Sequence, residues 1–182
     1  IVGVAWHRPA GTHPDDSVYD VIQAVLAEGR TSRIYKTLVK EKQLALQAGA
    51  LAALPGQKYP CLFIAYGLPA VGHTADEVEK AVLEETDRLV REPISDAELA
   101  RVKTEARANF IRSLSSNSGL AMRLASSQVV PGDWREGFRQ LKKIEAVTAA
   151  DVQRVAKTMF QKKNRIVGKI VAPSDASAEA NK

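Results

Sequence analysis

The chain has 182 residues, 45% hydrophobic and 26% charged, with a formal net charge of +5 and a single cysteine. That is enough for one substantial core, while no apolar run approaches the ~20 residues that span a bilayer and Cys61 alone excludes an internal disulfide. The basic balance invites a nucleic-acid partner, but the 26 cations and 21 anions are mixed along the chain. Its tightest clusters, Lys142-Lys143 and Lys162 to Arg165, lack interleaved aromatics for base stacking. We read them as a solvated basic face and expect no nucleic-acid partner.

Residues 1–8 alternate well enough for a strand, and Pro9 to Pro14 form a loop. The chain opens at Ile1 in mid-strand, without Met or a signal-peptide pattern, so we expect an excerpt of a longer protein whose compartment is not encoded here. From Asp15 a helix follows, with Val18, Val21, Ile22, Val25 and Leu26 on one face. Gly29 then frees the backbone, and Thr31 or Ser32 can accept a hydrogen bond from the first amides of a short basic helix. Ile34 and Leu38 form its apolar stripe. At Leu44 the period changes to a run of small apolar residues, a buried strand ending at the Pro55-Gly56 turn. Residues 61–68 (CLFIAYGL) make a second buried strand, pairing with the first as an antiparallel hairpin. Cys61 lies in this run as a buried structural thiol.

Four helices follow. Thr74 to Glu77 and Ser95 to Glu98 are capping boxes, and Thr148 to Asp151 is an acidic variant. The first helix carries i,i+4 pairs Asp76/Lys80, Glu84/Arg88 and Asp87/Arg91, and Pro93 ends it. The second buries Leu99, Val102, Ala106, Phe110 and Leu114, and the polar run Ser115 to Gly119 predicts a bend in one long helix reaching Val130, two separate helices being the alternative. Trp134, Phe138 and Leu141 stripe a third helix from about Asp133. Val152, Val155, Ala156 and Met159 stripe the last. Residues 165–172 return as a strand. The expected architecture is α+β: an antiparallel sheet of about four or more strands, covered on one face by about six helices. We expect residues 1–173 to form a single domain and residues 174–182 a disordered polar tail.

Several blocks in this order resemble a known family. GRTSRIYKTLVKEKQLA, from Gly29 to Ala45, is similar to the G-x-x-S-R-L-Y/F segment of the pitrilysin/insulinase-like zinc metallopeptidases, the inverzincins, which include the mitochondrial processing peptidases. Gly29, Ser32, Arg33, Ile34, Tyr35, Leu44 and Ala45 fit that segment. The helix from Ser95 resembles the family's S/T-x-x-E-L helix, and IEAVTAADVQRVAKTMF resembles its I-x-x-V-T-x-x-D helix. The resemblance covers roughly residues 1–173 and implies the LuxS/MPP-like metallohydrolase fold. In that family two similar halves enclose a peptide-binding chamber, and the N-terminal half holds zinc through His-x-x-Glu-His and a distal Glu. The resemblance makes this chain the C-terminal, non-zinc half. Its implied partners are a zinc-binding N-terminal half of the same chain and a peptide substrate.

The zinc motif is absent. His7, His13 and His73 are the only histidines, and none stands at the required spacing, so we expect no metal ligand, cofactor or catalytic residue in this chain, with zinc held in the full-length protein. There is no nucleophile elbow and no phosphate loop. Many family members also carry an Arg before the second strand and a Tyr seven residues later, which reach the substrate near the zinc. Alignment on Leu44-Ala45 puts those substrate-chamber positions at Val39 and Leu46, whose side chains donate no hydrogen bond, while Arg33 and Tyr35 fall in the structural helix-start motif. Some bacterial members work as pairs, one subunit bearing the zinc motif and the other the Arg/Tyr pair. The resemblance therefore leaves two expectations: a peptidase that needs a homologous subunit to supply Arg and Tyr, or a non-catalytic core subunit of the same fold.

Overall fold

Four segments of alternating side chains pair into one antiparallel sheet, and helices pack on one side of it. The computed structural model describes residues 1–170. In chain order these form β1 (Val2–Arg8), α1 (Asp16–Ala27), a π-helix (Tyr35–Glu41), β2 (Ala45–Leu54) and β3 (Cys61–Pro69). Then come α2 (Ala75–Arg91), α3 (Asp96–Leu114), α4 (Asn117–Val129), α5 (Glu136–Ala146), α6 (Ala149–Met159), a 3-10 turn (Lys162–Asn164) and β4 (Arg165–Lys169). The strand order is β2-β3-β1-β4, with every pairing antiparallel. The α+β architecture expected from the sequence is the one observed. The last residues of the expected final strand, and the tail from 174, lie outside the described residues.

Alternation decides what each strand presents. Val2, Val4 and Trp6 face the helices and pair with Gly67, Ala65 and Phe63 of β3, a buried surface against which α1, α2 and α6 pack. Trp6 and Phe160 meet edge to face at a centroid distance of 4.8 Å, and Phe63 meets Phe160 at 5.7 Å, geometry in which aromatic quadrupoles attract. Nine of the twelve residues of α1 are buried.

All three capping boxes form: Thr74, Ser95 and Thr148 accept from the third amide of their helices, and Glu77, Glu98 and Asp151 reach back to the cap. Elsewhere the structure corrects the local reading. The long helix from Ser95 is two helices, because Ser116 turns extended and its hydroxyl caps α4 by accepting from the Gly119 amide at 3.1 Å. Of the stripe expected to be buried on α3, only Val102 is fully so, and Leu114 is exposed. The α2 ion pairs are not the expected i,i+4 set. Asp76 pairs with Lys169 of β4 and Glu84 with Lys42, partners from other elements that stand closer than the next helical turn, while Arg88 pairs at i,i+4 with the cap residue Glu92.

Candidate functional site

The segment from Gly29 to Leu46 hangs on four anchors. Gly29 has φ of +76°, a backbone region that L side chains avoid. The Ser32 hydroxyl is buried and donates to the Gly29 carbonyl at 2.8 Å. This corrects the expected cap, since the hydroxyl closes the turn instead of accepting from the helix. Arg33 makes a two-pronged pair with Glu98, at 2.7 and 3.0 Å. The same carboxylate serves the Ser95 capping box, so one side chain ties the π-helix to the start of α3. Arg33, with help from the Ser95 amide, holds the Glu98 carboxyl down at about 2. Thr37 donates to the buried Glu85 of α2 at 2.7 Å.

Between these anchors the helix is wider than an α-helix. The Lys42 amide reaches back five residues to the Thr37 carbonyl at 2.9 Å. Ile34 and Leu38 are fully buried beneath it, while Gln43 takes φ of +52° as the chain turns into β2. Val39 is partly buried and packs against the core. Leu46 is 63% exposed at the start of the edge strand β2, where the register skips it between Ala45 and Gln47. The two positions therefore sit in different surroundings, and only Leu46 projects from the surface. Arg33 and Tyr35 remain with the helix start, and the Arg33 side chain is tied to Glu98.

The side of the sheet away from the helices is open and apolar. It carries Leu51 on β2, Leu62, Ile64, Tyr66 and Leu68 on β3, and Ile166 on β4, with Leu51, Leu68 and Ile166 each more than 40% exposed. Among the described strand residues, no Lys, Arg, Asp or Glu stands on this side. An uncovered apolar surface of this kind marks an interaction face. Sequence reading took CLFIAYGL as buried and so missed it.

A second concavity, about 670 Å³, lies between the loop before α1 and the α4–α5 helices. Asp20 lines it, accepting from the Gln140 amide at 3.0 Å. Burial, with Asp16 beside it, pushes the Asp20 carboxyl up to about 6. Asp16 itself pairs with Arg8, whose buried guanidinium lies 4.3 Å from the Tyr19 ring centre and donates to the Ala52 carbonyl at 2.9 Å. These groups were also missed: Asp20 lies on the face of α1 opposite the apolar stripe, where a carboxylate reads as solvated, and it has no sequence motif.

The histidines do not converge. His7 is on the open side of β1, His13 accepts from the Asp15 amide in the loop before α1, and His73 sits 3.3 Å from Glu77 ahead of α2. Among the described residues, no group of three or more His, Cys, Asp or Glu side chains is placed to hold a metal. The residues present do not fit a zinc site. No helix among the described residues is long and apolar enough to cross a membrane.

An open-faced antiparallel sheet backed by helices, with a braced π-helix leading into its edge strand, is the arrangement in which the comparisons with known proteins place the chain among peptidase-family domains. Residues 1–106 match the family model described as the peptidase M16 inactive domain, and the chain belongs to that family. It is similar to the zinc protease PqqE of Helicobacter pylori, 31% identical over 165 residues, which are 88% of this chain and 35% of that protein. The chain thus spans about a third of the length of that curated relative. A solved protease structure from H. pylori is 27% identical with a TM-score of 0.82, covering 91% of this chain and 40% of that one. The inactive peptidase domain of a Bordetella parapertussis protein shares the fold, with a TM-score of 0.77 at 24% identity over 94% of this chain and 89% of that one.

Proposed function

We propose that this chain is the zinc-free, C-terminal half of an inverzincin-type metallopeptidase. The open apolar side of its sheet forms one wall of a chamber that holds a peptide substrate. The observation that carries this reading is that uncharged face, on the side of the sheet away from the packed α1, α2 and α6 helices, in a family whose relatives include a zinc protease. The domain's contribution is then to desolvate and hold peptide, while hydrolysis belongs to a zinc-bearing N-terminal half of the same polypeptide. The test is metal analysis and a peptidase assay on the isolated 182 residues and on the whole polypeptide. The account expects zinc and activity only in the whole polypeptide. One tightly held zinc per isolated chain, lost together with peptidase activity, would overturn it.

Val39 and Leu46 favour a second reading. An Arg supplies a fixed cation with several donors, and a Tyr hydroxyl can stabilise a developing oxyanion. Neither side chain here does either. Activity would then require a homologous subunit that supplies both, with a purely structural core subunit as the limiting case. The whole polypeptide is assayed alone and with such a subunit titrated in. Activity that rises with the partner supports pairing, no activity in either case supports the scaffold, and full activity in a single-subunit preparation excludes both.

A further inference from the structure

Across the open side of the sheet, at right angles to the strands, runs a row of four register partners. Gly49 pairs with Tyr66, Tyr66 with Gly3, and Gly3 with Gly168. Three of the four have no side chain, so the row is a trench with Tyr66 as its single furnishing. The tyrosine lies over Gly49: a Cβ there would meet the Tyr66 hydroxyl at 2.8 Å and its ring at 3.0 Å. The rest of the floor is vacant. A Cβ on Gly168 would meet nothing within 4 Å, and one on Gly3 only Ile64 Cγ2 at 3.9 Å.

The walls are the rows two residues away along each strand. On one side stand Leu51, Ile64 and Ile166, and on the other Gln47 and Leu68. Residues two apart on a strand are about 6.7 Å apart, so the walls stand about 13 Å from one another, and four strands make the trench about 14 Å long. That width admits an extended chain together with one bulky side chain. Among the described strand residues no Lys, Arg, Asp or Glu side chain faces the trench, so a charged side chain pressed into it would lose its hydration without gaining a counter-ion from them. An aromatic or large aliphatic side chain would bury its surface against Tyr66 and the flanking leucines and isoleucines.

We infer that this trench is a side-chain subsite that selects extended peptide segments bearing a bulky uncharged residue, with Tyr66 as its specificity-determining side chain. The inference rests on the open sheet face being a peptide wall, and it adds which peptides that wall accepts. Charge complementarity decides the occupant: the chain is cationic overall, yet among the described strand residues this face presents no Lys, Arg, Asp or Glu side chain to steer a charged ligand.

The test uses the whole polypeptide with a chelator present, so that peptides are bound and not cleaved. Short fluorescein-labelled alanine-based peptides carrying a central Phe or a central Glu are titrated and followed by anisotropy. The Phe peptide is expected to bind about tenfold more tightly. Gly168→Leu fills the vacant end of the trench, at a position where an added Cβ meets no heavy atom of the described residues within 4 Å. It should remove most of that preference while leaving circular dichroism and Tm unchanged, and Tyr66→Ala should weaken the Phe peptide selectively. If both peptides bind and Gly168→Leu changes neither, the trench assignment is overturned while the peptide-wall reading stands. If neither binds, both fail. A Gly168→Leu protein that loses thermal stability would show that another part of the polypeptide already fills the trench, which also overturns the assignment.

Discussion

Two helical regions of this molecule are held in opposite ways. Helices α1, α2 and α6 press apolar stripes onto the sheet around Trp6, Phe63 and Phe160. By contrast α4 has no buried residue and α5 only Gly137. The α4–α5 pair is fixed mainly by polar and aromatic edge contacts. Arg123 of α4 donates to Ser113 Oγ and to the Gly137 carbonyl, and its guanidinium lies 4.8 Å from the Phe110 ring centre. Gln140 reaches Asp20 across the rim of the polar cavity. The first region gains stability from area removed from water, whereas the second depends on a few directional contacts, each worth about 1 kcal/mol.

The largest effect should come from the packed region. Phe63→Ala should cost about 4 kcal/mol by cavity formation in a fully buried site, whereas Met122→Ala on α4, 69% exposed, should change stability by less than about 0.5 kcal/mol. Urea denaturation measures both, and similar losses would erase the distinction between the regions. Arg33→Ala comes next. It leaves Glu98 without its cation and loosens both the π-helix and the start of α3, at a cost of about 2 kcal/mol once solvent screening of the half-exposed Glu98 is allowed for.

Two carboxylates should give opposite pH dependences. Glu98 is held at about 2 in the folded chain, so its contribution is complete above the unfolded carboxylate range near 4.3 and is lost as pH falls toward 2. Asp20 is raised to about 6, so between about pH 4 and 6 the folded state holds a proton that the unfolded state has released, and stability falls as pH rises through that window. Asp20→Asn should abolish the second slope and raise Tm at pH 7 by a few degrees, about what 1 kcal/mol gives a domain of this size. Thermal melts from pH 3 to 8 test both signs, and an unchanged upper slope in the Asn variant would remove Asp20 from the account. The smallest expected effects are at the helix caps. Ser95→Ala should cost about 1 kcal/mol. Ser116→Ala should cost less, because the helix it caps has no buried residue to transmit the loss.

How much was legible in the sequence divides along the same line. Strand positions, capping boxes and the α1 and α6 stripes follow from periodicity and local hydrogen bonding, and they emerge where expected. The reading failed where tertiary partners outcompete local ones. Asp76 prefers Lys169 to Lys80, and Ser32 closes a turn onto Gly29 instead of capping a helix. The stripe Leu99 to Leu114 looks like a core face, but the period cannot tell whether anything packs on it. In the candidate site, Val39 and Leu46 could be placed only through a resemblance, and the structure adds that Val39 packs inward while Leu46 projects. The trench was invisible because Gly49, Tyr66, Gly3 and Gly168 come from four strands and meet only through register.

The most direct test of the central claim, that the open side of the sheet is the peptide-contacting surface, is photo-crosslinking on the whole polypeptide with its metal chelated. An extended peptide carrying a benzoylphenylalanine is irradiated and the attachment sites are mapped by mass spectrometry. The account predicts adducts at Leu51, Ile64, Tyr66 or Ile166 and none on α2 or α6. Adducts confined to the helix layer, or a sheet face left unlabelled while peptide is bound, would contradict it.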